Sequence, residues 1–339
     1  MKQELFILIL GEVPRSLQGE VFPPHLATSA PAYSASRLPR QVTIGQESVE
    51  VGGVPVSFEL RGYPPDILLI QARVPVASVF TRDVFDLEEA LLGRARTILK
   101  TYGGDIELSE EYSVFVVSEF EGEPEQFLRH ASVIAGLLKS ERRELDGREV
   151  AYTLQSQIKY AKNDLALVDW DGAFLFDVDG DVNEELTLLT LGNLQLLRHR
   201  ILDRHLDSRL QRMSELVARS ARARFTLNSR ELGKDLVKLV QNRLQSITDL
   251  QRLERDVKLI GDWYSARFYD LVAGKFKIED WRRTIRTKLE ALEGIYSIVE
   301  GNFTISAKHR AEWAQIILFF ILQVGWFLLI ILEFFYFTR

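Results

Sequence analysis

Three aspartates alternate along the chain immediately before a long stretch of helical character, at Asp177, Asp179 and Asp181. This spacing is similar to the start of a calcium-binding loop, in which alternating oxygen ligands surround the ion. A complete loop has glycine at its sixth position and glutamate at its twelfth, whereas counting from Asp177 gives Val182 and Leu188. An acidic turn leading into a helix explains the same residues, because carboxylates stabilise the positive end of a helix dipole. The aspartates are therefore weak metal-site candidates, and we expect no bound metal.

Other residues that could carry out chemistry are sparse. The chain has no cysteine, which excludes disulfides, cysteine-ligated zinc, iron–sulfur clusters and thiol nucleophiles. His199 and His205 lie six residues apart, whereas paired metal ligands on one helix face lie four apart, so we expect both at the surface. Phosphate-binding, dinucleotide-binding and serine-hydrolase motifs do not occur. We therefore expect no cofactor, no catalytic residue and a non-enzymatic function.

Arginine dominates the segment from Arg198 to Arg230. Nine arginines minus three acidic residues give this segment a net charge of +6, whereas the whole chain carries −6. RNA phosphates, including those of the ribosome, and anionic lipid headgroups bind segments of this kind. The alternative is the solvated face of a long helix whose arginines pair with nearby carboxylates. The candidate residues for an anionic partner are Arg219, Arg222 and Arg224.

The C-terminal end contains the longest apolar run. Residues 316–332 read IILFFILQVGWFLLIIL, with Gln323 as the one strongly polar side chain. A helix over residues 313–337 is long enough to cross the ~30 Å hydrocarbon core, and soluble helices rarely lack a polar face over such a length. We therefore predict one transmembrane helix in a lipid bilayer. Its candidate membrane residues are the interfacial aromatics Trp313 and Tyr336, the mid-span Trp326, and the pair Gln323 and Gly325. This pair marks either a helix–helix contact or a single polar residue that the span tolerates.

The charges beside this helix predict its orientation. Residues 308–310 read Lys-His-Arg, whereas Arg339 alone follows the apolar run. The positive-inside rule therefore predicts a cytoplasmic N-terminal body. We expect a single-pass protein of the bacterial inner membrane, or of the mitochondrial inner membrane with a matrix-facing body if the source is eukaryotic.

An α+β domain is predicted over residues 1–182, with a proline-rich loop at 14–40. Apolar runs and alternating patterns predict strands at 5–10, 41–51, 54–60, 67–74 and 111–120, and two more strands joined by a turn at Asp171-Gly172. Apolar residues recurring every three or four positions predict helices over 83–102 and 124–138. Strands alternating with helices indicate an α+β arrangement.

A helical stalk or bundle is predicted over residues 183–310, followed by the transmembrane helix at 313–337. Long antiparallel helices are expected at about 184–227, 229–257 and 278–301. The second of these carries a seam of apolar residues from Leu232 to Val257 that is typical of a coiled coil. The seam predicts a homo-oligomer.

The order of elements from Asn163 onward resembles the required-for-meiotic-nuclear-division and YagE family. The resemblance covers about the C-terminal half and rests on NDLALVDWDGAFLFD, on the helices around Trp263, Tyr264 and Trp281, and on the single terminal anchor. Eukaryotic members of that family are mitochondrial inner-membrane proteins that support translation of organelle-encoded proteins. The resemblance implies a non-enzymatic scaffold or tether and supplies no catalytic residue.

Three functions follow from these observations. The first is a membrane-anchored scaffold with a cytoplasmic, self-associating body that contacts the ribosome, RNA or anionic lipid. The second is an oligomeric channel similar to the CorA magnesium transporters, although those have two membrane helices joined by a Gly-Met-Asn loop, which this chain does not contain. The third is an enzyme whose site contains no recognisable motif. We expect the first.

Overall fold

The computed structural model describes residues 1–22, 39–222, 248 and 263–337. The chain divides into two compact units. The first unit contains residues 1–205 and 247–285, and the second contains residues 206–246 and 286–339. Residues 23–38 of the predicted proline-rich loop lie outside the described residues, as does the predicted helix at 229–257 with its coiled-coil seam, apart from residue 248.

A nine-stranded sheet forms the centre of the first unit. Its strands are β1 (Lys2–Glu12), β2 (Glu20–Phe22), β3 (Gln41–Val51), β4 (Val54–Tyr63), β5 (Ile67–Pro75), β6 (Ser109–Ser118), β7 (Gln157–Ile158), β8 (Asp164–Val168) and β9 (Gly172–Asp177). Their spatial order is β2-β3-β4-β5-β1-β6-β9-β8-β7. Neighbouring strands are antiparallel except for the parallel pair β6 and β9, so the sheet is mixed.

Strand β1 lies between β5 and β6 and is apolar on both faces. Leu5, Ile7 and Ile9 contribute to the core on one face of the sheet, whereas Phe6 and Leu8 contribute to the core on the other. Successive side chains of a strand point to opposite faces, so a continuous apolar run requires cover on both sides. The first unit is therefore a three-layer structure with helices on each face.

The first helical layer comes from the middle of the domain. It contains α1 (Asp83–Thr101), a 3-10 helix (Pro124–His130), α2 (Ala131–Leu138) and α3 (Gly147–Leu154). Helix α1 buries Leu91, Ala95 and Ile98, which lie on one stripe because helical residues three and four apart share a face.

The second layer covers the opposite face of the sheet. It contains the first part of α4 (Asn183–Arg222), α5 (Trp263–Lys275) and the beginning of α6 (Ile278–Phe337). Leu189, Leu197, Phe268 and Val272 pack here against residues of β1, β6 and β9. A mixed-sheet N-terminal domain followed by helices therefore agrees with the coarse fold expected from the sequence.

Most predicted strands are confirmed, including the hairpin around Gly52-Gly53, where both glycines have positive φ. The turn between β8 and β9 differs by one residue. The N–H of Asp169 donates to the Gly172 carbonyl at 2.9 Å, so Trp170 and Asp171 form the turn and Gly172 begins β9. A side chain on Gly172 would approach the Ser113 carbonyl of the neighbouring strand, which is why glycine occupies this position.

Several helices differ from the predicted ones. The predicted helix at 124–138 begins as a 3-10 helix and becomes α-helical at Ala131. Helix α3 was not predicted, whereas α5 lies within the helical region expected over residues 183–310, although no bounds were predicted for it. Helix α6 is continuous from Ile278 to Phe337, instead of ending near residue 301 and restarting at 313. This stretch contains no proline, and its glycines do not interrupt the helix.

The described part of the second unit contains the end of α4 and most of α6. Leu206 and Met213 of α4 and Leu292 of α6 are buried. Lys288 Nζ lies 2.6 Å from the Asp207 carboxylate. The two helices therefore pack against each other near this ion pair.

Two helical glycines provide a matched test of packing between α4 and α5. A Cβ at Gly192 would overlap Val272 Cγ1 and lie 3.1 Å from Phe276 Cε2, whereas a Cβ at Gly93 of α1 would meet nothing within 4 Å. We predict that Gly192→Ala lowers the free energy of unfolding by about 1–3 kcal/mol through overpacking. Gly93→Ala is expected to raise it by about 0.5–1 kcal/mol, because alanine favours a helix.

Urea unfolding of the detergent-solubilised chain, followed by circular dichroism, measures both effects. Equal stability changes for the two variants would contradict the close approach of α4 and α5.

Candidate functional site

The C-terminal part of α6 presents an apolar surface on every side. Residues 314–332 have a mean hydropathy of 2.5, and none of the stretch is buried within the described structure. It contains no charged residue, and at about 1.5 Å per residue it is ~28 Å long. Length and composition therefore fit a helix able to cross a membrane, and by themselves they are weak evidence for one.

The predicted membrane residues all lie on α6. Within the apolar stretch, Gln323 is exposed, and the ring of Trp326 is 70% exposed. A Cβ at Gly325 would meet no atom within 4 Å. The helix positions of Trp313 and Tyr336 bracket the stretch. The exposed Gln323 and Gly325 are available for a contact with a second helix.

The arginine-rich segment begins inside the first unit, where its arginines hold α4 to the sheet. Arg200 donates to the Ser109 carbonyl at 3.0 Å and to the Glu110 carboxylate. Arg204 donates to Asp105 at 3.0 Å. This end of the segment therefore fits the alternative of arginines paired with nearby carboxylates.

The three arginines predicted to contact an anionic partner lie further along. Arg219 and Arg222 belong to the last turns of α4, whereas Arg224 lies outside the described residues.

Asp177, Asp179 and Asp181 form a turn between β9 and α4. The Asp177 carboxylate accepts the Asp181 N–H at 3.1 Å, and Gly180 adopts a positive φ of 73°. Burial raises the pKa of Asp177, although backbone N–H groups of the turn oppose that effect. The described residues contain no group of three or more His, Asp or Glu side chains placed to hold a metal ion. The turn therefore gives the Asp177 carboxylate a structural role.

His199 is buried, whereas both histidines of α4 were expected at the surface. Its ring is fully enclosed, and Nδ1 lies 2.6 Å from the Gln195 carbonyl one turn earlier. His199 shares a buried stripe of α4 with Gln195 and Leu202, one turn before and after it. His205 is exposed, as expected.

Three buried carboxyl groups are functional candidates that sequence reasoning missed. Burial raises the pKa of Glu88, Glu110 and Glu185 to about 7 in each case. Ser113 beside Glu88, Arg200 beside Glu110 and the backbone beside Glu185 act in the opposite direction. A helical wheel could have indicated Glu88, because it shares the buried stripe of α1 with Leu91 and Leu92.

These carboxyl groups do not converge on one cleft. A groove of ≈ 310 Å³ lies between α4 and the polar surface of β3, β4 and β5. A second groove, of ≈ 490 Å³, is lined by Glu12, Asp66 and Asp105 among other residues, and contains no histidine, lysine or tyrosine. Neither groove, each formed by described residues, is lined by Glu88, Glu110 or Glu185.

Asp169, in the turn that follows β8, joins the two helical layers. Its carboxylate lies 3.6 Å from Lys139 Nζ, which follows α2, and 3.3 Å from Lys275 Nζ at the end of α5. The Tyr112 hydroxyl donates to its carbonyl at 3.0 Å. Since α2 and α5 cover opposite faces of the sheet, this cluster has a structural role.

Comparison with known proteins places the similarity in the N-terminal half. The family described as "Uncharacterized protein MJ0711, N-terminal domain" matches residues 10–182. Uncharacterized protein MJ0711 of Methanocaldococcus jannaschii is 28% identical over 223 residues, which cover 66% of this chain and 67% of that protein. No solved structure matches the chain.

These matches correct the resemblance described above. The assignment to the required-for-meiotic-nuclear-division and YagE family was wrong, since the matching family is a different one and covers the N-terminal instead of the C-terminal half. That resemblance depended on apolar helix patterns and a terminal anchor. Such patterns arise wherever helices pack or enter lipid, so they do not distinguish families.

Glu88 gives a pH-dependent prediction. Its pKa of about 7 lies above the ordinary value of 4.5, so its contribution to stability is complete below the unfolded-state pKa and decreases as pH rises through about 7. Glu88→Gln mimics the protonated form and should remove this decrease. We compare the free energy of unfolding of Glu88→Gln with that of the native chain. We predict that the difference, variant minus native, is about 3 kcal/mol larger at pH 8 than at pH 4.

Glu89→Gln is the control, because Glu89 is the exposed neighbour of Glu88 and pairs with the half-exposed Arg142. Its effect should be small and nearly independent of pH. The measurement is urea unfolding at both pH values. An unchanged pH profile for Glu88→Gln would contradict the burial of an ionisable carboxyl at this position.

Proposed function

We propose, on the premise that this chain belongs to the family of the N-terminal domain of uncharacterized protein MJ0711, that it is a membrane-anchored, non-enzymatic scaffold. The observation that carries the proposal is the apolar surface of α6 over residues 314–332. Burying one Leu, Ile or Phe side chain stabilises by about 1.5–3 kcal/mol, and this stretch exposes more than a dozen such residues. A bilayer covers this surface with one uninterrupted helix, which satisfies its own backbone hydrogen bonds.

The orientation of the anchor is the second part of the proposal. Residues 308–310 supply basic side chains before the apolar stretch, and Arg339 follows it. The positive-inside rule favours a cytoplasmic location for the first unit. The chain is then a single-pass protein whose mixed-sheet domain is held beside the membrane.

Self-association extends the proposal. The apolar seam over residues 229–257 supports a coiled-coil contact, and the exposed Gln323 and Gly325 support a helix–helix contact within the bilayer. The mass of the detergent-solubilised chain, measured by light scattering, tests this part. A multiple of the chain mass is expected, and a monomer would contradict self-association.

Membrane extraction tests the anchor. We predict that alkaline carbonate leaves the full chain in the membrane pellet and releases a variant that ends at Glu312, because no other described helix has a comparable apolar length. A control variant with the order of residues 314–332 shuffled should stay in the pellet, since hydrophobicity and length determine insertion. Release of the full chain, or retention of the truncated one, would show that residues 313–339 do not anchor it.

Charge reversal tests contact with an anionic partner. We predict that Arg219→Glu, Arg222→Glu and Arg224→Glu together weaken co-sedimentation with ribosomes or anionic vesicles at least tenfold, because each basic residue contributes ~1 kcal/mol near an anionic surface. The salt dependence should also decrease.

The matched control reverses the exposed residues Arg129, Arg143 and Arg148 of the first unit. The variant that ends at Glu312 provides the background for both sets of substitutions, so that anchoring does not contribute to sedimentation. Equal weakening by the two sets would contradict a specific contact at the end of α4.

A further inference from the structure

Three aromatic rings meet where α5 approaches the loop between β7 and β8. The ring centroid of Tyr160 lies 6.3 Å from that of Trp263 and 5.1 Å from that of Tyr264. The ring planes are tilted by 54° and 56°. The tilted rings form a partial box, in contrast to the parallel stacking of Phe115 on Phe174 in the core.

Two of the three rings are largely exposed. Trp263 is 63% exposed and Tyr160 is 67% exposed, although aromatic side chains of this size are usually buried to a large extent. The backbone of Tyr160 is fixed in this place, because its N–H donates to the Asp164 carboxylate at 2.8 Å and the N–H of Ala161 donates to the same oxygen at 2.9 Å. The exposed ring is therefore held by a defined loop geometry.

Carboxylates surround the ring that is least exposed. The side chain of Tyr264 is hydrogen-bonded to Glu185, and Ser265 donates to Glu184. Burial, together with the nearby Glu185, Asp164 and Glu184 carboxylates, raises the pKa of Tyr264, so its hydroxyl stays protonated. Asp164 and Glu184 therefore place carboxylates beside the cluster.

A cation already occupies one face of Trp263. The guanidinium carbon of Arg267 lies 4.8 Å from its ring centroid, within the ~6 Å range of a cation–π contact. Arg267 shows that this ring face accepts a positive group. A ligand with the same charge would compete with Arg267 for the ring.

We propose that Tyr160, Trp263 and Tyr264 form a binding site for a small organic cation of the quaternary-ammonium class. Aromatic faces attract cations through the ring quadrupole, and several rings around one point are the usual arrangement for such groups. A quaternary ammonium is large and weakly hydrated, so it loses little hydration on entering, and the carboxylates of Asp164 and Glu184 complement its charge. Inorganic cations of the same charge are more strongly hydrated and gain less from aromatic contact.

Saturation-transfer NMR of tetramethylammonium chloride tests this site, with the full chain in a maltoside detergent that carries no ammonium group. We expect saturable transfer to the methyl protons that an equal concentration of sodium chloride does not displace. Trp263→Leu and Tyr160→Leu should each weaken the affinity by about tenfold. Arg267→Gln should strengthen it severalfold, because it removes both the competing cation and its charge.

Tyr152→Leu is the matched control for Tyr160→Leu, since Tyr152 is 61% exposed and contacts Lys275 instead of the box. It should leave the affinity unchanged. Circular dichroism confirms that each variant is folded, and Tyr160→Phe, which keeps the ring, should bind like the native chain. The proposal is wrong if tetramethylammonium gives no saturable transfer, if all variants bind alike, or if Arg267→Gln weakens binding.

Discussion

The burial of β1 on both faces is the constraint on which the first unit depends. Nine consecutive residues of this strand, from position 3 to position 11, are buried. Its apolar side chains alternate between two cores, so neither helical layer is optional. Different parts of the chain form the two layers. Helices α1 to α3 lie between strands of the sheet, whereas α4 and α5 follow its last strand. Helices after residue 182 therefore complete the fold of the sheet that precedes them.

Charged residues fix the positions of these layers at the edge of the sheet. Asp169 contacts lysines from both faces, and Arg200 holds α4 to the beginning of β6. Both contacts involve buried or half-buried groups, for which an unpaired charge is costly. In the described first unit, these charged contacts therefore position the helices on the sheet.

How well the sequence predicted an element depends on how far apart in the chain its contacting residues lie. Local patterns were sufficient for β1, for the hairpin at Gly52-Gly53 and for α1, because a strand or helix with one buried face repeats its apolar residues at a fixed period. Contacts between distant segments were not predictable in this way. The turn at Trp170 was displaced by one residue because Gly172 is required by the close approach of β6.

The same distinction applies to the candidate sites. The apolar end of α6 could be predicted from the sequence, because its apolar residues are consecutive. Arg200 pairs with Glu110 and Tyr160 meets Trp263, and the residues of each pair lie about a hundred positions apart, so no local pattern indicates either contact. His199 was misjudged because the spacing of two histidines does not reveal which stripe of a helix is buried. The family resemblance failed because it rested on helix patterns, which describe packing and do not identify ancestry.

We expect residues 314–332 to span a membrane, with the first unit on the cytoplasmic side. Since the chain has no cysteine, single cysteines can report it: Ser297→Cys before the apolar stretch, and a cysteine joined to Arg339 by a short Gly-Ser linker. A membrane-impermeant maleimide applied to intact cells should label the added C-terminal cysteine alone, and lysis should expose the cysteine at position 297. Equal labelling of both positions in intact cells, or of neither, would contradict a spanning helix in this orientation.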